Sequence, residues 1–163
     1  VKTGAGTMKK LGLILLGFLC ALSSGRALLG DDEAEAARHY GEPVNHTANT
    51  QQDKQTRIYE YHGYRVIVTF EQGRSTSEGF FLLGGTGPMA DGTIQALLQE
   101  HAAGQSWREL PTPTGVRLWI RPGAIATYGE EHGKAQFAVM AYSGPPQDVI
   151  NAAAAHALVT PPP

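Results

Sequence analysis

The sequence predicts an α+β protein made of two αβββ units, with helices packed on one face of an antiparallel sheet and an extra C-terminal helix. Three observations predict it. The stretch Arg57 to Leu82, RIYEYHGYRVIVTFEQGRSTSEGFFL, alternates apolar with polar residues and turns at His62-Gly63 and Gln72-Gly73. In each turn the glycine stands second, where a tight hairpin needs positive φ. A helix signal precedes this meander, and a second one near Asp91 precedes three further strand-like runs. The order helix, strand, strand, strand thus occurs twice. Residue identity between the halves is poor, so the repeat is one of pattern.

The division that follows is an extension plus secretory signal over 1–27, a first unit over 28–83 and a Gly/Pro linker over 84–90. A second unit with the last helix covers 91–160, and 161–163 is a disordered tail. Met8 opens the signal pattern: Lys9 and Lys10, the apolar run Leu11 to Leu22, then small residues with Gly25 and Ala27 at the cleavage positions. That run is shorter than the ~20 residues that span a bilayer. Cys20 is preceded by Gly17-Phe18-Leu19, not by the small residue that lipid modification requires. Cleavage after Ala27 leaves 136 of the 163 residues and removes the only cysteine, so an ordinary core must supply stability. The expected location is the bacterial periplasm or the exterior, with no membrane span after cleavage.

Charge narrows the partners. Without Lys2, Lys9, Lys10 and Arg26, nine basic residues face fifteen acidic ones, a net of −6. Nucleic acid and anionic membrane surfaces reward a basic face, so neither is an expected partner.

In chain order, Asp32 caps the first helix and Glu35 completes a capping box, with Gly41 and Pro43 ending it. Its inner stripe is Ala36, Ala37 and Tyr40. Val44 to Thr56 is polar and reads as a mobile loop. The turn at His62-Gly63 sets Tyr61 opposite Tyr64, Glu60 opposite Arg65, Tyr59 opposite Val66 and Ile58 opposite Ile67. The second turn sets Glu71 against Arg74 and Val68 against Ser77. One face, the core face, then collects Tyr59, Tyr61, Tyr64, Val66, Val68, Phe70 and Phe81. The other holds Ile58, Glu60, Arg65, Ile67, Thr69, Thr76, Glu78 and Phe80.

After Gly84-Gly85-Thr86-Gly87-Pro88, Asp91 caps a helix with Ile94, Leu97, Leu98 and His101 on one stripe, ending at Gly104. Strand-like runs follow at Val116 to Arg121, Ala124 to Tyr128 and Lys134 to Tyr142, and an alanine-rich helix runs from about Gln147 to Leu158.

Leu29-Gly30-Asp31-Asp32-Glu33-Ala34, leading to His39-Tyr40-Gly41-Glu42-Pro43 and a meander, resembles the opening of SmpA/OmlA-type outer-membrane assembly lipoproteins. The tandem form is similar to the beta-lactamase inhibitor protein architecture. The resemblance covers about a third of the chain and implies α+β layers that act by binding other proteins. It does not extend to the lipidated cysteine or to the inhibitor's disulfides, so neither anchoring nor inhibition is carried over.

Motifs of chemistry are sparse. Gly85-Thr86-Gly87-Pro88-Met89-Ala90 fits a loose dinucleotide fingerprint, but Pro88 removes a donor and Asp91 would oppose a phosphate, so no cofactor is expected. The six histidines form no H-x-x-x-H pair, and no metal is expected. His101 reads as a satisfied core residue, Glu130-Glu131-His132 as a solvated hairpin tip and Trp107 as a core plug. Trp119 alternates with Val116, Leu118 and Ile120 and reads as outward-facing between Arg117 and Arg121, the composition of a binding hot spot.

The expected function is therefore non-catalytic binding of another envelope or secreted protein. The expected face comprises Ile58, Arg65, Ile67, Thr69, Phe80, Arg117, Trp119 and Arg121. Burial of that face against the 44–56 loop or the last helix, a homodimer through it, a small periplasmic hydrolase using His132, and a ligand-binding protein are the alternatives.

Overall fold

Hydrogen bonding runs unbroken through eight antiparallel strands. The structure is a computed structural model and describes residues 29–47, 54–112, 115–131 and 133–144, with 147, 148 and 151. The strands are β1 (Asn45–Thr47), β2 (Lys54–Tyr61), β3 (Tyr64–Glu71), β4 (Arg74–Leu82), β5 (Arg108–Leu110), β6 (Arg117–Arg121), β7 (Ala124–Glu131) and β8 (Lys134–Ala141). Their spatial order is β1-β2-β3-β4-β8-β7-β6-β5. Two short helices, α1 (Glu33–Tyr40) and α2 (Asp91–Glu100), cover one face and bury Ala36, Tyr40, Ile94, Leu97 and Leu98 against it.

This corrects the expected fold class. The chain is predominantly β, not an α+β pair of αβββ units. The two helices on the sheet have only eight and ten residues. Two segments not predicted as strands, Asn45–Thr47 and Arg108–Leu110, pair at the two edges. Strand β4 pairs with β8 from Ser77↔Met140 to Phe81↔Gln136, so the halves share one sheet. The physical reason is that an unpaired strand edge seeks partners wherever backbone donors and acceptors are free. The reading of Val44 to Thr56 as loop fails for the same reason, since Asn45–Thr47 and Lys54 onward are strand. The expected signal and nearly all of the C-terminal helix lie outside the described residues.

The first hairpin has the predicted register. Tyr61↔Tyr64, Glu60↔Arg65, Tyr59↔Val66 and Ile58↔Ile67 are paired, and both turns put successive residues at positive φ, His62-Gly63 and Gln72-Gly73. The second hairpin starts as predicted with Glu71↔Arg74 and then departs. Thr69 pairs with Ser77 while Phe70 pairs with Ser75, which leaves Thr76 as the extra residue of a β-bulge. Val68 therefore faces Glu78 instead of Ser77. Beyond the bulge every side chain changes sides: Glu78 and Phe80 point toward the helices, and Phe81 points away.

Tyr59, Val66, Val68 and Phe70 are buried as predicted. Tyr61 and Tyr64 are only half-buried, and Phe80 takes the core place expected for Phe81. Deleting Thr76 removes the extra residue but keeps Ser75 opposite Phe70, Ser77 opposite Thr69 and Phe80 opposite Val66. Phe80 is therefore expected to stay in the core and stability to change by no more than ~1 kcal/mol. Urea unfolding checks this, and a loss of ~3 kcal/mol or more would show that the bulge itself is needed for the core.

The α1 capping box forms as read: Glu35 N donates to Asp32 Oδ1 at 2.8 Å and Asp32 N to Glu35 Oε2 at 3.0 Å. In α2 the expected cap is displaced. Ala90 occupies the N-cap without a side-chain bond, and Asp91 begins the helix. Its carboxylate accepts from Arg117 Nη1 at 2.7 Å, while its charge still suits the helix N-terminus.

Candidate functional site

Both described helices lie on one face of the sheet, and register alone composes the other. One row across that face reads Ile58, Ile67, Gly79, Ala138, Thr127, Leu118 and Leu110. A second reads Thr69, Ser77, Met140, Ile125 and Ile120. Toward β2 and β3 the face is half-buried at Ile58, Ile67, Thr69 and Phe81, and Arg65 is exposed beside Phe81. The Phe81 ring lies over Gly79, where a Cβ would meet it at 3.1 Å, so glycine lets an aromatic lie flat beside Ile67. Toward β6 the face closes into a buried cluster of Leu118, Ile120 and Ile125, with Leu110, Met140 and Tyr142 against it.

The eight residues expected on one binding face are therefore divided. Ile58, Arg65, Ile67 and Thr69 share the face opposite α1 and α2. Phe80, Arg117, Trp119 and Arg121 are on the helix side. Phe80 and Trp119 are core, 1% and 3% exposed. Arg117 caps Trp119, its guanidinium 4.7 Å from the ring centroid, and is held by Glu109 at 2.9 Å. That hydrogen bond keeps the Glu109 carboxyl below the usual carboxylate range.

Arg121 is buried, donating to the carbonyls of His101 at 2.9 Å and Pro122 at 3.0 Å and lying 5.0 Å from the Trp107 ring. Burial pushes its pKa down. Sequence reasoning missed Phe81 on the outward face. Thr76 sits within an otherwise ordinary strand and gives no local signal of a bulge.

A second arrangement joins both helices to the sheet. His101 at the C-cap of α2 is 0% exposed, with Nδ1 2.8 Å from Leu97 O and Nε2 3.0 Å from Glu78 Oε2. The same carboxylate oxygen accepts from Tyr40 Oη at 2.6 Å. A backbone carbonyl can only accept, so Nδ1 carries a proton, and Nε2 facing a carboxylate favours a second one. Burial by itself would lower the His101 pKa. The hydrogen bond and charge of Glu78, with the Leu97 carbonyl, outweigh it and hold His101 above the ordinary histidine range.

Burial, reinforced by Glu78, drives the Tyr40 phenol far above the tyrosine range. Nearer the surface, His39 Nε2 is 2.6 Å from Glu100 Oε1. That contact keeps the Glu100 carboxyl below the ordinary range despite its partial burial. Sequence reading placed His101 in the core but could not supply its partners, because Glu78 was assigned to the outward face.

Of the other candidates, His132 lies outside the described residues, and Glu130 accepts from Tyr128 Oη at 3.0 Å. Gly87 N donates to Gly133 O at 2.9 Å, tying the glycine-rich segment to the β7–β8 turn. Among the described residues no three His, Cys, Asp or Glu side chains gather as a metal would require, and no helix is long and apolar enough to cross a membrane.

Compared with protein-family models and with curated proteins, the chain matches none. Among solved structures it is similar to a cysteine-rich secretory protein from Staphylococcus aureus, at 8% identity and a TM-score of 0.43. That likeness covers 70% of this chain and 44% of the staphylococcal one.

Proposed function

We propose that this protein is a non-catalytic binding module that docks another envelope or secreted protein through the face of β2, β3 and β4 opposite α1 and α2. The observation that carries this reading is the half-buried group Ile58, Ile67 and Phe81, with Thr69 beside it and the exposed Arg65 paired to Phe81. An apolar and aromatic centre with an arginine at its rim is the composition of a docking surface. The buried set of ionisable groups that joins both helices to the sheet, Tyr40, Glu78 and His101, is 5%, 1% and 0% exposed. A substrate would have to part the helices from the sheet to touch it, which favours binding over catalysis. The envelope or extracellular setting rests on the N-terminal signal pattern.

Ile67→Glu tests the reading. In co-purification from the envelope fraction of the native host, the variant is expected to lose a specific partner by at least about ten-fold, while its unfolding midpoint stays within ~1 kcal/mol of the parent. Retention of the partner, or unfolding of the variant, would show the face to be ordinary covered core. Light scattering separates docking from self-association: a parent dimer that Ile67→Glu dissociates makes the partner a second copy.

A further inference from the structure

An open cleft of about 1070 Å³ runs between α2 and the segment 104–109, on the helix side of the sheet and away from the docking face. We propose that this cleft binds a neutral oligosaccharide, held by Gln95, Gln99 and Trp107. Its volume slightly exceeds the ~300–1,000 Å³ of ordinary ligand clefts, room for more than one sugar ring.

Charge selects the ligand class. The only charged residues lining the cleft are Glu100 and Glu109. Glu109 is ion-paired with Arg117 at 2.9 Å, and Glu100 lies 2.6 Å from His39 Nε2. Both carboxylates already have partners, and the lining residues offer no cationic side chain to an anionic ligand.

What remains is amide and aromatic. Gln95 and Gln99 stand one turn apart on α2, both exposed, and neither side chain is hydrogen-bonded to a described residue. Each primary amide offers an acceptor oxygen beside two donor hydrogens, the pattern that neighbouring sugar hydroxyls satisfy. Trp107 supplies a fixed apolar surface. Its indole N–H donates to Leu98 O at 2.7 Å, and Arg121 lies 5.0 Å from the ring centroid, so the half-buried ring is oriented before any ligand arrives. A rigid aromatic costs little entropy on binding and packs against the C–H face of a pyranose.

The proposal is independent of the docking reading, since no residue is shared. The test titrates the full chain with cellohexaose, chitohexaose and maltoheptaose, following tryptophan fluorescence and backbone amide NMR shifts. At least one sugar is expected to give a saturable change centred on α2 and Trp107. Gln95→Ala/Gln99→Ala, a change at exposed positions, is expected to weaken it at least ten-fold without altering the unfolding curve.

No change with any of the three at roughly 10 mM, ten times a weak ~1 mM dissociation constant, overturns the proposal. Equal affinity in the double variant overturns it too. A blocked, uncharged tetrapeptide is run in parallel. If it perturbs the Arg108 to Leu110 amides while the sugars do nothing, the cleft belongs to strand addition on the edge strand β5 instead.

Discussion

His101→Ala is expected to destabilise the protein by about 3–5 kcal/mol, because it leaves the Glu78 carboxylate buried with only a phenol for company. Tyr40 Oη and His101 Nε2 converge on Glu78 Oε2, and among the described residues Glu78 Oε1 has no hydrogen-bond partner. The carboxylate is therefore poorly compensated once the imidazolium is gone. Removing the whole polar set is a different experiment. Tyr40→Phe/Glu78→Met/His101→Leu replaces three linked polar groups by apolar ones of similar size, and the loss is expected to shrink to ~1–2 kcal/mol or vanish. Urea unfolding of the single and triple variants checks the contrast. Equal losses would mean that packing, not charge burial, dominates the site.

The same pair fixes a sign for pH dependence. His101 has its pKa raised above 6.5 in the folded protein. Its contribution is therefore full below the unfolded value of about 6.5 and is lost as pH rises through the folded value. The groups facing it are Tyr40 from α1, Glu78 from β4, Glu100 from α2 and the Arg121 guanidinium on its carbonyl. The difference in stability between parent and His101→Leu is expected to narrow as pH rises from 6 toward 9. A difference that widens would place the neutral imidazole in the folded state.

Trp119→Ala is expected to cost about 3–5 kcal/mol, the range for emptying a large aromatic site in a core. Trp119 is 3% exposed, with its ring 6.4 Å from that of Phe137 and under the Arg117 guanidinium. The cavity would open within the core cluster that also holds Ile94, Leu97 and Leu98 of α2. Guanidinium-induced unfolding measures the loss, and Trp119→Phe is expected to recover about half of it. A loss below ~1 kcal/mol would return Trp119 to the surface and restore its reading as an exposed anchor.

The sequence by itself determined the local features of this protein. The capping box of Asp32 and Glu35, the stripe of Ile94, Leu97, Leu98 and His101, and both hairpin turns depend on residues within one or two turns of each other. Short-range sterics and hydrogen bonding settle such features, and the first hairpin's register follows from its turn. Half of the candidate face, Ile58, Arg65, Ile67 and Thr69, was legible for that reason.

Tertiary structure decided the rest. The bulge at Thr76 exists because β4 must satisfy β3 on one side and β8 on the other, and it reverses the sides of Glu78, Phe80 and Phe81. In β6 the contiguous Leu118, Trp119 and Ile120 are buried on both faces, so alternation had no polar side from which to choose a direction. The short strands β1 and β5 form by pairing to a sheet already there, not by propensity. Glu78 meets His101 and Tyr40 across 23 and 38 residues of chain, and only the assembled sheet with both helices on it brings them within hydrogen-bond reach.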